Sequence, residues 1–220
     1  MKERPILFSG PMVRAILDGR KTQTRRIVKC QPPDDVAPIT VARYNPTIID
    51  RHGEQAPGLE IFGAFSDDGE WGCKSPFGEP GDRLWVRETH LNWWKLNEAN
   101  PDGPREFSHV AAYAADGYEL QPGETWIPSI HMLRAASRIT LEITGVRVER
   151  LQDISEVDAI SEGIDKTAAG FWSTYGQCDV DGTYSPRLSY QCLWNSLNAA
   201  RGFGWDANPW VWVVEFAKSV

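Results

Sequence analysis

Cysteine is scarce in this 220-residue chain: Cys30, Cys73, Cys178 and Cys192 are the four, and no two form a Cys-x-x-Cys pair. Their long, irregular gaps exclude a disulfide framework and a thiolate metal knot, and predict reduced thiols in a cytoplasmic setting. Histidine is equally sparse. His52, His90, His109 and His131 never fall at a helical or hairpin interval, so neither a metal site nor a cofactor is expected. Apolar runs are short, and none approaches the ~20 residues of a membrane helix. Lys2, Glu3, Arg4 and Pro5 lead into only a brief apolar run, so no signal peptide and no membrane partner are predicted. Positive charge is also in deficit: 23 Lys and Arg against 30 Asp and Glu leave a net charge of −7. That balance excludes a protein that coats nucleic acid through a broad basic face, but not a small focused anion site.

Apolar mass is plentiful. Hydrophobic residues make up 41% of the chain and include ten Trp, enough to bury a core and to exclude wholesale disorder. The length suits one domain over 1–220.

Residues 5–9, "PILFS", predict a short strand. Ser9 and Pro11 then open a helix, Met12, Val13, Ile16 and Leu17 give it an apolar face, and Gly19 closes it. "TQTRRIV" (22–28) alternates and predicts a strand. Residues 31–80 are punctuated by Pro and Gly, and their thin apolar content predicts an excursion holding at most two short strands, near 59–65 and 70–73. A turn at Pro80-Gly81-Asp82 leads into a strand through 89, and a weaker strand follows over 108–115, with Trp93 and Trp94 expected in a loop. Residues 138–151 predict one bent strand or two, broken at Gly145. Ser155 and Asp158 give the start of a short helix that closes on Gly163. A longer helix spans 185–202, with Leu188, Cys192, Leu193 and Leu197 as its expected buried stripe. "PWVWVVEF" (209–216) predicts a central strand. Strands outnumber helices, which predicts an α+β domain with a curled or barrel-like sheet.

One local charge excess breaks the acidic pattern. Arg14, Arg20, Lys21, Arg25, Arg26 and Lys29 crowd together with only Asp18 between them as an acid. On an extended strand Thr22, Thr24 and Arg26 share one face, and Gln23 and Arg25 the other. Such a run is also a common way to guard a strand edge with solvated charge, and Arg14 and Lys29 are read in that way.

"GRKTQTRR" (19–26), "PGDRLWVRE" (80–88) and "PWVWVVEF" (209–216) together resemble the ASCH domain family. Gly19, Lys21 and Arg26 match its Gly-x-Lys-x-x-Glu-x-Arg string, with Thr24 in the place of the Glu. The Trp-rich length looks like ASCH proteins encoded in phages and prophages. The resemblance covers residues 1–30 and most of 79–216, and it implies a PUA-like β-barrel with flanking helices. The string is also similar to that of the small N(4)-acetylcytidine amidohydrolases, in which the Lys, the second Thr and a Glu on a later helix are the proposed catalytic residues. Carried over by position, these are Lys21 and Thr24, and "ISEVDAISE" (154–162) supplies Glu162, with Glu156 as competitor. Arg20, Thr22, Arg25 and Arg26 are then the expected substrate-binding residues, and Lys21 is expected outside the core.

Amide hydrolysis at an exocyclic base nitrogen needs a nucleophile, a proton carrier and oxyanion stabilisation. Lys21 with a depressed pKa is one base for the Thr24 hydroxyl. In the other route Glu162 polarises water, and a charged Lys21 faces the oxyanion. The expected partner is a small nucleoside or nucleobase. RNA is the alternative, through a binding module or a ribonuclease, and a phage interaction scaffold without catalysis is a third class. Trp93 and Trp94 are the exposed aromatics considered for base stacking.

Overall fold

The computed structural model describes residues 1–96, 98–100, 102–178 and 181–219. The chain is mixed α and β, with strands dominant. In chain order it forms β1 (Glu3–Leu7), α1 (Gly10–Leu17), β2 (Gln23–Ile27), β3 (Ile39–Tyr44), β4 (Thr47–Ile49), β5 (Gln55–Pro57), β6 (Ile61–Ser66) and β7 (Gly72–Lys74). There follow β8 (Arg83–Arg87), β9 (His90–Lys95), β10 (Glu106–Tyr113), β11 (Thr140–Arg150), α2 (Glu156–Ser161), α3 (Pro186–Asn198) and β12 (Trp210–Lys218).

The main sheet runs β1-β8-β11-β12-β2. β1 and β8 are parallel, and every other pair is antiparallel. β1 and β2 are its two edges, and no backbone pairing between them closes a barrel among the described residues. A side chain spans the gap instead: Arg26 Nη2 donates to the Leu7 carbonyl at 2.7 Å.

β12 shows why an unbroken apolar strand sits inside a sheet. Trp212, Val214 and Phe216 face one side, and Val211 and Val213 the other, and all five are buried. One side packs with Ile6, Val13, Ile16, Leu84 and Leu141 beneath α1. The other meets Tyr190 and Trp194 of α3 and Ala159 of α2. β11 is one bent strand, with a register shift between Ile143 and Gly145 where it passes β12. A Cβ at Gly145 would stand 2.7 Å from Glu215 Oε2, so a side chain at the bulge would displace that carboxylate.

Residues 31–80 hold five short strands, not two. β3, β6 and β7 form a three-stranded sheet, and β4 and β5 a hairpin. The pattern was hard to read because β4 is wholly exposed and β5 nearly so, which leaves no alternation of apolar residues. This excursion is fastened to the main sheet through Ala64, Ile39, Val41 and Trp71, which pack with Val28 and Trp212. Trp93 and Trp94 lie in β9, not in a loop. Each is ring-paired across the β9–β10 hairpin, Trp93 with His109 and Trp94 with Phe107.

α3 also differs from expectation. Leu188 and Leu197 are exposed, and its buried side carries Ser189, Tyr190, Cys192 and Trp194. The aromatics outcompete the leucines for the interior because they bury more apolar area. No described helix is long and apolar enough to cross a membrane.

Trp212 joins the excursion to the main sheet. Trp212→Ala should lower the unfolding free energy by about 3–5 kcal/mol and make residues 31–80 the first segment cut in limited proteolysis. Denaturant melts and mass mapping of the fragments check both.

Candidate functional site

Lys21 follows the turn that ends α1. Gly19 takes φ 73°, the left-handed conformation that favours glycine, and the Arg20 and Lys21 amides both donate to the Ala15 carbonyl, at 2.8 and 3.0 Å. This turn separates neighbouring cations. Arg20 is thrown to the surface, where it pairs with Asp18 and Asp165 at 3.2 and 3.7 Å. Lys21 is turned inward and is only 4% exposed.

Glu162 arrives from the other side. Ser155 caps α2 by accepting the Asp158 amide at 3.0 Å, and the helix ends with Glu162 at its C-cap. The chain then passes along Lys21 as an isolated antiparallel bridge, and the Thr22 amide donates to the Ser161 carbonyl at 2.9 Å. Gly163 permits this approach. Its φ is 78°, and a Cβ there would lie 2.7 Å from the Lys21 Cβ and 2.8 Å from the Ala15 Cβ.

Lys21 Nζ donates to the Glu162 carbonyl at 2.7 Å and to its Oε2 at 3.0 Å. Arg25 Nη1 holds Glu162 Oε1 at 3.1 Å. Arg25 also reaches Glu149 at 2.6 Å and Asp158 at 3.2 Å. Arg147 binds Glu149 at 2.9 Å and also pairs with Glu215. Gln23 Nε2 donates to the Asp158 carbonyl and carboxylate at 2.9 and 3.1 Å. A carboxylate at a helix C-terminus opposes the helix dipole, and here two cations offset that cost.

Burial pushes the Lys21 ammonium below its ordinary pKa of 10.5. The Glu162 charge opposes the shift, and Arg26 and Arg25 add to it. Burial would also lower Arg25, but Glu162, Tyr190 and Glu149 outweigh it, so Arg25 stays charged. Burial, reinforced by Glu162, raises the Tyr190 phenol well above 10.0, which keeps it a neutral hydroxyl.

These groups line a cavity of about 990 Å³. Its wall includes Lys21, Thr24, Arg25, Arg26, Glu162 and Tyr190. Thr24 is buried, and its hydroxyl makes no hydrogen bond among the described residues. Arg26 lies 5.3 Å from the Phe8 ring centroid, and Lys21 Nζ 5.5 Å from it. Thr24, Arg25 and Arg26 all reach the cavity despite alternating along the strand. Among the described strands β2 pairs only with β12, so its other edge is free of a neighbouring strand.

The structure therefore brings Lys21, Thr24, Arg25, Arg26 and Glu162 to one cavity. Arg20 and Thr22, expected as substrate-binding residues, are exposed and lie off it, as do Trp93 and Trp94. Lys21 was expected outside the core and is inside it, because its charge is met by Glu162. Glu156 stands apart from the cavity, accepting from Ser185 Oγ at 3.3 Å. Glu149, Asp158, Arg147 and Tyr190 were not anticipated. Only Asp158 carried a sequence signal, standing four residues before Glu162 on one helix face. Among the described residues no group of three or more His, Cys, Asp or Glu is placed to hold a metal ion.

Compared with protein-family models, curated proteins and solved structures, the chain matches none.

Gly163→Ala should cost about 1–2 kcal/mol from its left-handed backbone alone, and more from the clash with Lys21. The expected signature is a lower melting temperature together with a shifted Lys21 side-chain resonance. A melt and resonance equal to wild type would show that glycine is dispensable at this crossing.

Proposed function

We propose that the protein is a hydrolase that removes an acyl group from the exocyclic amine of a modified nucleoside or nucleobase, such as N(4)-acetylcytidine. Its scaffold is a PUA-like sheet, curled so that Arg26 bridges the two edge strands. The observation that carries the reading is the buried contact of Lys21 with Glu162, on the wall of a cavity that also holds the unpartnered Thr24 hydroxyl.

An amine nitrogen has three positions beyond its carbon bond. Glu162 takes two of those on Lys21, through its carbonyl and its carboxylate. The third is a lone pair when Lys21 is neutral, the form that burial favours. On this reading the lone pair takes the Thr24 hydroxyl proton, and Thr24 Oγ1 attacks the acyl carbon. Arg26 stabilises the oxyanion. Lys21 then returns the proton to the departing ring amine as the C–N bond breaks. Water, deprotonated by the same lysine, attacks the Thr24 ester; the acyl–Oγ1 bond breaks, Lys21 returns the proton to Thr24 Oγ1, and the carboxylate is released. Water is the only co-reactant, and no cofactor enters. Arg25 holds Glu162 in place throughout.

Purified protein incubated with N(4)-acetylcytidine should release cytidine, resolved by chromatography. Lys21→Met should reduce the rate by about 10²–10⁴-fold, the usual contribution of a general base. Glu162 keeps its Arg25 partner in that variant, and circular dichroism monitors its fold. Thr24→Ser should retain turnover, and Thr24→Val should not. No cytidine from wild type, or equal release by Lys21→Met, would overturn the reading.

A base must be deprotonated to act, so kcat/KM should rise with pH. The midpoint should lie below 10.5, because burial lowers the Lys21 pKa. A rate that falls as pH rises from neutral would contradict Lys21 as the base and favour the charged-lysine route.

A further inference from the structure

The cavity is larger and more cationic than hydrolysis at a base amine requires. At about 990 Å³ it lies at the upper end of small-molecule sites, which span roughly 300–1,000 Å³. Among the described residues its wall carries six cations, Lys21, Arg25, Arg26, Lys29, Lys74 and Arg201, against the one carboxylate of Glu162. Three of the six are committed within the protein. Lys21 and Arg25 hold Glu162, and Arg26 holds Leu7. Lys29, Lys74 and Arg201 are exposed, and their side chains make no hydrogen bond or ion pair among the described residues.

These three come from separate elements: Lys29 just past β2, Lys74 at the end of β7, and Arg201 in the turn after α3. The excursion that carries Lys74 is fastened next to Lys29, since its Trp71 Nε1 donates to the Cys30 carbonyl at 3.0 Å. Free cations lining one cavity of a chain with net charge −7 are a local reversal of field, which concentrates anions there. Lys29 lies five positions after Thr24, at most about 16 Å along an extended chain, and a lysine side chain shortens that gap. This is the scale of one nucleotide from base amine to phosphate. The same cavity is also lined by Phe77, apolar surface suited to a base or sugar.

We propose that Lys29, Lys74 and Arg201 form a phosphate subsite, so that the substrate is a nucleoside phosphate rather than a free nucleoside. The proposal rests on the hydrolase reading for the identity of the base, and on the unpaired cations for the phosphate. One phosphate also suits the acidic chain better than a polymer does, since a long polyanion would meet the negative remainder of the surface.

The test is a pair of affinity ratios measured by calorimetry on the full chain. Cytidine is compared with its 5′- and 3′-monophosphates, in wild type and in a triple Lys29→Ala, Lys74→Ala, Arg201→Ala variant. Wild type should bind one monophosphate about 10-fold or more tightly over cytidine, as charge-assisted phosphate contacts do, and the triple variant should bring that ratio close to one. The acetylated compounds are then compared by kcat/KM, where the same ratio should appear. Equal binding of cytidine and both monophosphates would overturn the subsite, as would a preference that survives the triple variant. So would a long single-stranded RNA that binds far more tightly than either monophosphate. Cytidine release from acetylcytidine without any phosphate preference would sink the subsite and leave the hydrolase standing. A phosphate preference lost in the triple variant, without acyl hydrolysis, would do the reverse.

Discussion

The contact between Lys21 and Glu162 joins two segments 141 residues apart, and most of the candidate site follows from it. A buried ammonium costs several kcal/mol unless it is paired and hydrogen-bonded. Lys21 meets that condition through a carbonyl and a carboxylate of one residue. For both to be in reach, α2 must end at Glu162, Gly163 must turn without a side chain, and the α1 turn must direct Lys21 inward while sending Arg20 out. Arg25, which holds the second carboxylate oxygen, extends the same requirement to Glu149 and Asp158, and through them to Arg147 and Gln23. The acidic composition thereby gains a local meaning. The carboxylates around Arg25 neutralise the inner cations, and those of the outer rim are left without acids.

The main sheet makes this possible by ending on two edges. A closed sheet would place β2 between two neighbours and leave no flank for a cavity. With β2 paired only to β12, residues 24–26 turn toward open volume, and Arg26 ties the edge to β1 without filling it. The same edge carries the chain from the lysine-carboxylate contact to the cations near Cys30. One strand thus organises both ends of the cavity.

Much of this frame was legible in the sequence. α1, β2 and β12 carry strong local signals: Ser9 at the N-cap position with Pro11 in the first turn, a β-branched alternation, and a continuous apolar run. The Ser155 cap disclosed α2, and with it the position of Glu162 at a helix end. The excursion was not legible. Its strands are three to six residues long and two of them are largely exposed, so pairing there is set by partners distant in sequence rather than by a periodic pattern. β9 was missed for the same reason, since three of its six residues are exposed. Within the site, the basic cluster looked like one feature. The glycine turn divides it, and charge pairing decides which members go inside. Arg20 finds exposed Asp18 and half-buried Asp165, whereas Arg25 finds three acids, one of them, Glu162, fully buried. That partition depends on residues far along the chain, and no local spacing encodes it.

The central claim is that Lys21 is a buried amine whose proton affinity is set by burial against Glu162. Its most direct test is a titration of the Lys21 side-chain nitrogen by nuclear magnetic resonance, in wild type and in Glu162→Gln. The account predicts a midpoint below 10.5 in wild type, because burial outweighs the carboxylate. It predicts a lower midpoint still in Glu162→Gln, where the charge that raises it is gone. A lysine that titrates at or above 10.5, and is indifferent to Glu162→Gln, would contradict the account.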